Sequence, residues 1–253
     1  MKVCHMQFLT VRPLADSAIT LDFATTIGAA ASARVHSALV CLREGMTAGV
    51  LPGVTEVTSA FCSVTVHYDC LQTTQDVLIT SAAVLLEKAS VGERRQGQVW
   101  DIPCCYAGEA APDLVDLGQR LALDPAEIAA LHSQTSLVVY ALGFLPGLPF
   151  MGDLPQSLAL PRRSEPRTHV PAGSVAIANG LCVIYPWLSP GGWHILGNCP
   201  VPLFDSTRAI PALLAAGDTV WFHSISLAEH ADLAAALQAG RVDPMSFLRG
   251  AGA

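Results

Sequence analysis

Apolar and polar positions change rhythm several times along this chain. Residues 17–23 (SAITLDF) alternate with the period of two expected of a half-buried strand. Residues 27–44 form an alanine-rich helical segment that closes near Gly45. Residues 54–68 read as one long strand or a bent pair, with Val64, Val66 and Tyr68 on one face. Residues 73–95 read as a helix carrying apolar Val77, Leu78, Ala82, Leu85 and Leu86. Strands taking turns with helices predict a small α/β sandwich domain over residues 1–93.

The polar, glycine-bounded run GERRQGQ (92–98) makes a linker. Residues 99–106 follow as a strand, and then two short helices. The first carries Leu114, Leu117 and Leu121 on one stripe; the second opens with Asp124, Pro125 and Glu127 in the spacing of a capping box. His132 lies in its last turn on the face of Ile128, where the helix dipole favours the protonated imidazole. From Ser136 onward, short strand-like runs (137–142, 174–178, 182–185, 193–196, 219–222) are separated by Pro- and Gly-rich turns, the rhythm of a β-barrel or sandwich over residues 97–226. Residues 227–239 predict a helix, and 241–253 a loose tail, so 227–253 reads as a terminal appendage. The fold class is α+β.

Composition narrows the chemistry. The chain has 253 residues, 51% of them hydrophobic and 14% charged, enough apolar content for a sizeable core. A net charge of −7 argues against nucleic acid or an anionic membrane as partner. The run 137–151 is broken by Gly143, Pro146, Gly147 and Pro149, which excludes a membrane-spanning helix there. The first residues lack the apolar core of an export signal, so a cytoplasmic location is expected. Lys2 and Lys88 are the only lysines, which leaves no P-loop lysine and no Schiff base. The 8 cysteines show no paired metal spacing and read as reduced, mostly buried thiols. The histidines form no metal-binding pattern either, so no metal is expected.

One charge anomaly stands out. Between Arg120 and Arg208 the only cations are Arg162, Arg163 and Arg167, in PRRSEPRTHVPAGS. Such a cluster reads either as an anion site or as a solvated basic turn paired with Glu165 and nearby acids. PAGS (171–174) and PGG (190–192) offer backbone N–H groups to an anion or are simple turns. GFLPGLPF (143–150) is too proline-rich for a helix and reads as a buried crossover or as the apolar wall of a pocket. His132 and His194 are the two candidate acid–base groups; for His194 a structural role is the stronger reading. Taken alone, Trp193 and Tyr185 read as core.

These segments together resemble a known family. LHSQTSLVVYALGFLPGLPFMGDLPQSLALPRRSEPRTHVPAGSVAIA, IYPWLSPGGWHILG and AGDTVWF are similar to the B-type subunit of 5-oxoprolinase, also called allophanate hydrolase subunit 1, a family that includes the kinase inhibitor KipI. The resemblance covers most of residues 10–225 and implies an N-terminal α/β domain followed by a cyclophilin-like β-barrel. It further implies two partners, the C-type (allophanate hydrolase subunit 2-type) and A-type subunits of 5-oxoprolinase, and an ATP-dependent opening of 5-oxoproline to glutamate. On that reading Arg162, Arg163 and Arg167 hold an anion, and Pro171, Gly173, Ser174, Gly191 and Gly192 supply the backbone cradle. Trp193 and Asn198 join the substrate side, His132 transfers a proton or orients the substrate, and Phe144, Pro146, Phe150 and Tyr185 form the wall.

Some positions depart from the family pattern. Leu181, Cys182 and Val183 replace Gln-Thr-Gly; Asn198 and Cys199 replace Arg-Thr; Phe150 lacks a phenol often found there. Losing a bidentate arginine contact costs roughly 1.5–3 kcal/mol where one is made. The departures keep alternatives open: a related lactam or ureido substrate, a catalytically altered paralogue, or a KipI-like protein that binds a sensor histidine kinase.

Overall fold

The computed structural model describes residues 7–88 and 97–249. Residues 92–96 of the expected linker lie outside them, as do residues 89–95 of the expected second helix and 250–253 of the tail. The chain divides into two compact units, Met1–Gln96 and Gly97–Ala253.

In the first unit the order is β1 (Thr10–Leu14), β2 (Ala18–Asp22), α1 (Ala29–Thr47), β3 (Val54–Ser59), β4 (Ser63–Tyr68) and α2 (Gln75–Lys88). The strands make one antiparallel sheet in the order β1-β2-β4-β3. Residues 54–68 thus form a hairpin, and Val64, Val66 and Tyr68 all turn into the core. Val35, Leu39 and Leu42 of α1 and Leu78, Ala82 and Leu86 of α2 close that core over the sheet. The α1 helix runs on through Gly45 to Thr47.

The second unit contains β5 (Val99–Cys105), α3 (Leu114–Leu121), α4 (Pro125–Ser133), β6 (Leu137–Leu142), β7 (Pro149–Gly152), β8 (Arg167–Val170), β9 (Ser174–Ala178), β10 (Leu181–Ile184), β11 (Ser189–Gly191), β12 (His194–Asn198), β13 (Thr219–Ile225), α5 (Leu227–Gln238) and β14 (Leu248–Arg249). Seven strands close into a barrel in the order β12-β9-β10-β7-β6-β13-β5, with β12 returning to β5 through the Asn198–Cys105 pair. This closed barrel beside a separate small sheet is the α+β arrangement expected from the sequence. The expected capping box at α4 is present, with Asp124 accepting from Ala126 N–H and Glu127 from Asp124 N–H.

Alternation along the strands sorts their residues into two apolar layers. Val175, Ile177, Cys182, Ile184 and Leu196 fill the barrel interior. Their neighbours Ala176, Ala178, Val183, Tyr185 and Ile195 pack on the outer wall with Leu148, Val170 and Trp193. A two-stranded ribbon of β8 and β11 contributes Val170 to that outer layer.

The tail is not loose. Residues 244–247 form a 3₁₀ turn and β14 pairs with β5 at Trp100 and Val99, while Phe247 and Leu248 pack on the barrel core. The physical reason is an open edge: β12 reaches only Cys105 of β5, and β14 covers the backbone groups that β12 leaves. Among the described residues no helix is long and apolar enough to cross a membrane. The cysteines among them are free thiols.

Candidate functional site

A cleft of about 120 Å³ opens on the outer wall of the barrel, lined by Phe144, Leu148, Phe150, Arg162, Val183, Tyr185, Pro190, Gly191, Gly192 and Trp193. The lining comes from the β6–β7 turn and β7, from β10 and the residue after it, from the loop before β8, and from β11 with the turn to β12. Phe150 and Trp193 pack with ring centroids 6.0 Å apart. The Arg162 guanidinium lies over the Trp193 ring, 5.6 Å from its centroid, within the range of a cation–π contact. Arg162 is exposed and, among the described residues, makes no ion pair. Burial pushes the Tyr185 phenol up, with the Arg162 charge opposing, so it stands in the cleft as a neutral hydroxyl.

The GFLPGLPF segment is a hairpin turn between paired strands, not a crossover. Phe144 projects at its tip, 68% exposed, with a left-handed φ of 68° that bulky residues rarely adopt. Pro146 is not part of the lining.

Gly191 has a steric reason. A Cβ there would collide with the Tyr185 hydroxyl, so only glycine lets the ribbon close on that ring. At Gly192 the nearest atom to a Cβ would be 3.7 Å away, and no such constraint exists.

Arg163 and Arg167 hold an internal carboxylate. Both point to Asp113, which is 3% exposed at the start of α3. Arg167 grips its carboxylate with two N–H groups, Nη1 at 2.9 Å and Nη2 at 2.5 Å, and Arg163 Nη1 adds a bond at 3.3 Å. The same carboxylate accepts from Ile195 N–H at 2.7 Å. A buried carboxylate must be paired, and it claims both guanidinia. Two of the three arginines are thus paired with an acid, the buried Asp113, and Arg163 Nε also donates to the Glu165 carbonyl at 3.4 Å; these two fasten the loop, and Arg162 remains over the cleft.

The PAGS segment is engaged in the same way. Gly173 N–H donates to the Tyr185 carbonyl at 2.7 Å and Ser174 N–H to the Pro171 carbonyl at 3.3 Å. Gly173 has φ +77°, and a Cβ there would meet the Cys199 carbonyl. Its amide is unavailable to a ligand because the turn is folded onto its own backbone. Asn198, expected on the substrate side, braces structure instead. Its Nδ2 donates to the Ala172 carbonyl at 2.9 Å, and its Oδ1 accepts from His230 Nε2 at 2.8 Å.

His132 is also not in the cleft. It is 0% exposed inside the barrel, where Nδ1 shares a 2.7 Å hydrogen bond with the Tyr106 hydroxyl and Nε2 lies 3.3 Å from Cys182 Sγ. Desolvation pushes its pKa down to about 3, so the imidazole is neutral and the expected protonated form is overturned. Cys182 and Cys199, two of the departures from the family pattern, are buried in this same interior. Among the described residues no group of His, Cys, Asp and Glu is arranged to hold a metal ion.

Sequence reasoning missed Asp113 and Val183, and covered Leu148 and Pro190 only within the segments 143–150 and 190–192, without singling them out. For Leu148 and Val183 a signal existed: each stands two residues before a wall residue, Phe150 or Tyr185, and strand alternation puts such pairs on one face. For Asp113 none did.

Residues 9–214 match the family described as carboxyltransferase domain, subdomain C and D, and the chain belongs to that family. Among its relatives is the B-type subunit of 5-oxoprolinase from Bacillus subtilis (strain 168), 36% identical over 226 residues that make up 85% of this chain and 92% of the relative. The resemblance drawn from the PRRSEPRTHVPAGS and SPGGW runs is thereby borne out. The crystal structure of TTHA0988 superposes with a TM-score of 0.72 at 33% identity, covering 86% of this chain and 40% of the longer one. The urea amidolyase of K. lactis shares the fold, with a TM-score of 0.65 at 15% identity over 90% of this chain and 16% of that one. The curated relatives carry the name of an oxoprolinase subunit, which adds no support for a kinase-binding role.

Proposed function

We propose that this chain is the B-type component of a cytoplasmic, ATP-dependent 5-oxoprolinase, or of an enzyme acting on a closely related lactam or ureido compound. Its partners on this reading are a C-type subunit carrying a second barrel and an A-type subunit. The observation that carries the proposal is the Arg162 guanidinium held over Trp193 at the mouth of an apolar cleft. At about 120 Å³ the cleft is smaller than the ~300–1,000 Å³ that accommodates drug-sized ligands, and it suits a single small ring. 5-Oxoproline is such a ring with one carboxylate. Phe144, Phe150 and Trp193 offer it apolar faces, Arg162 a planar fork for the carboxylate, and Tyr185 a neutral hydroxyl.

A nucleoside triphosphate does not fit these residues. Its several charges require a metal, a lysine or a set of converging N–H donors. Here two arginines are paired with Asp113 and the Gly173 and Ser174 amides are engaged internally, leaving, among the described residues, one cation at the cleft. ATP use is accordingly assigned to the partner subunits, and this chain's part is to bind the substrate, orient it and shield one face from water.

The test is reconstitution with the two partner subunits and measurement of ATP consumption that depends on 5-oxoproline. Arg162→Ala should lower kcat/KM by about 10- to 150-fold, the equivalent of one charge-assisted contact of ~1.5–3 kcal/mol. Wild-type kinetics in that variant would remove Arg162 from the site.

A further inference from the structure

Arg162 and Trp193 meet because their neighbours are in register. Arg163 N–H donates to the Gly192 carbonyl at 2.8 Å. On the other side of Arg162, His194 Nε2 lies 3.0 Å from the Pro161 carbonyl. Residues 161–163 therefore run against residues 192–194, and the central pair is the guanidinium stacked on the indole.

The His194 rung is chemically costly. A carbonyl only accepts, so Nε2 carries a proton toward it, and Nδ1 must be satisfied elsewhere. Among the described residues that buried Nδ1 has no hydrogen-bond partner, in a residue 1% exposed. Buried polar atoms are rarely left in this condition, and an aliphatic side chain would suit a position followed by Ile195 and Leu196 without the penalty. What the imidazole provides is a grip on the peptide just before Arg162. Proline has no N–H, so its carbonyl is the only backbone handle at residue 161. The remaining anchors act elsewhere: Asp113 holds Arg163 and Arg167, and Asn179 N–H holds the Leu160 carbonyl.

We infer that His194 is a positioning residue: by holding the Pro161 carbonyl it sets the Arg162 guanidinium over Trp193 and so preorganises the cleft. Its consequence for turnover rests on the binding role proposed for the cleft, whereas the positioning itself is read without substrate. In the full chain, the four tryptophan indole N–H resonances are resolved by ¹H–¹⁵N NMR, with Trp193→Phe identifying the one concerned. His194→Met should move the Trp193 resonance in the same direction as Arg162→Ala. His194→Gln, whose amide can still donate to the carbonyl, should leave it close to wild type. His194→Leu serves if the methionine variant does not fold. In the assembled enzyme, His194→Met should raise KM about tenfold with kcat within about twofold, and His194→Gln should restore KM. An unmoved Trp193 resonance in the methionine or leucine variant, or equal displacement in the glutamine variant, would overturn the inference. Should Arg162→Ala prove fully active, the proposed site falls while the NMR comparison still decides the positioning role.

Discussion

Alternate residues around β10 serve two opposite environments. Cys182 and Ile184 face the barrel interior, whereas Val183 and Tyr185 face the cleft. Inside, Tyr106, His132 and Cys182 hydrogen-bond one another and burial keeps each of them neutral. Outside, one guanidinium stays charged over an aromatic face, with no ion pair among the described residues. Both regions hold residue types commonly associated with catalysis, so residue type alone does not distinguish them. What does is whether a charge remains available once the internal partners have been satisfied.

The comparison breaks most sharply at Asp113, the carboxylate that separates the two fastening arginines from Arg162. Asp113→Ala strands two guanidinia and the Ile195 N–H. Removing one partner of a buried pair costs about 3–5 kcal/mol, and with Arg163 and Arg167 side chains 27% and 25% exposed the lower end is expected. All four tryptophans lie in the second unit, so the urea midpoint followed by tryptophan fluorescence reports on the barrel. A loss below about 1 kcal/mol would mean that Asp113 is not the anchor described.

A smaller effect separates the two adjacent glycines of the cleft. Gly191→Ala drives a methyl into Tyr185 and should cost about 1–3 kcal/mol as an overpacking change. Gly192→Ala makes only ordinary van der Waals contact, 3.7 Å from Pro166, and should fall within ~0.5 kcal/mol of wild type in the same denaturation measurement. Equal effects would refute the steric account of Gly191.

A pH-dependent effect belongs to the interior. His132 has its folded pKa depressed to about 3 from an unfolded value of 6.5. The unfolded chain therefore takes up a proton first, and stability present above pH 6.5 is lost as pH falls toward 3. The slope is at most about 1.4 kcal/mol per pH unit. His132→Phe should flatten the dependence of the barrel's thermal midpoint on pH between about 6.5 and 5.5; an unchanged slope would show that another group controls it.

Elements with local signals were legible in the sequence. Residues 137–142 and 174–178 are strands with those same bounds, and the Asp124 capping box needs only four neighbouring residues. The cleft was partly legible, since Phe144, Phe150, Arg162, Tyr185, Gly191, Gly192 and Trp193 all stand out in the sequence and all line it. The division of labour among the arginines was not. Asp113 stands at a helix start, where acids are common, yet it makes no cap, and its arginine partners come 50 and 54 residues later. His132 misled for a related reason. A helix-end dipole contributes about 0.3–1 kcal/mol at an exposed site, far less than full desolvation takes away, and burial is set by strands distant in sequence.

The β5–β13 pairing has a consequence for biosynthesis. These strands run parallel over seven residue pairs from Thr219–Val99 to Ile225–Cys105, and Trp100 Nε1 donates to Asp218, 118 residues downstream. At ~5–20 residues per second, translation needs about 6–24 s to supply that partner. Throughout this interval the nascent β5 carries Trp100, Ile102 and Cys104 beside a strand edge whose parallel partner has not been made. The barrel cannot close until nearly all of it has been made, so its folding on the ribosome depends on keeping that edge from other chains.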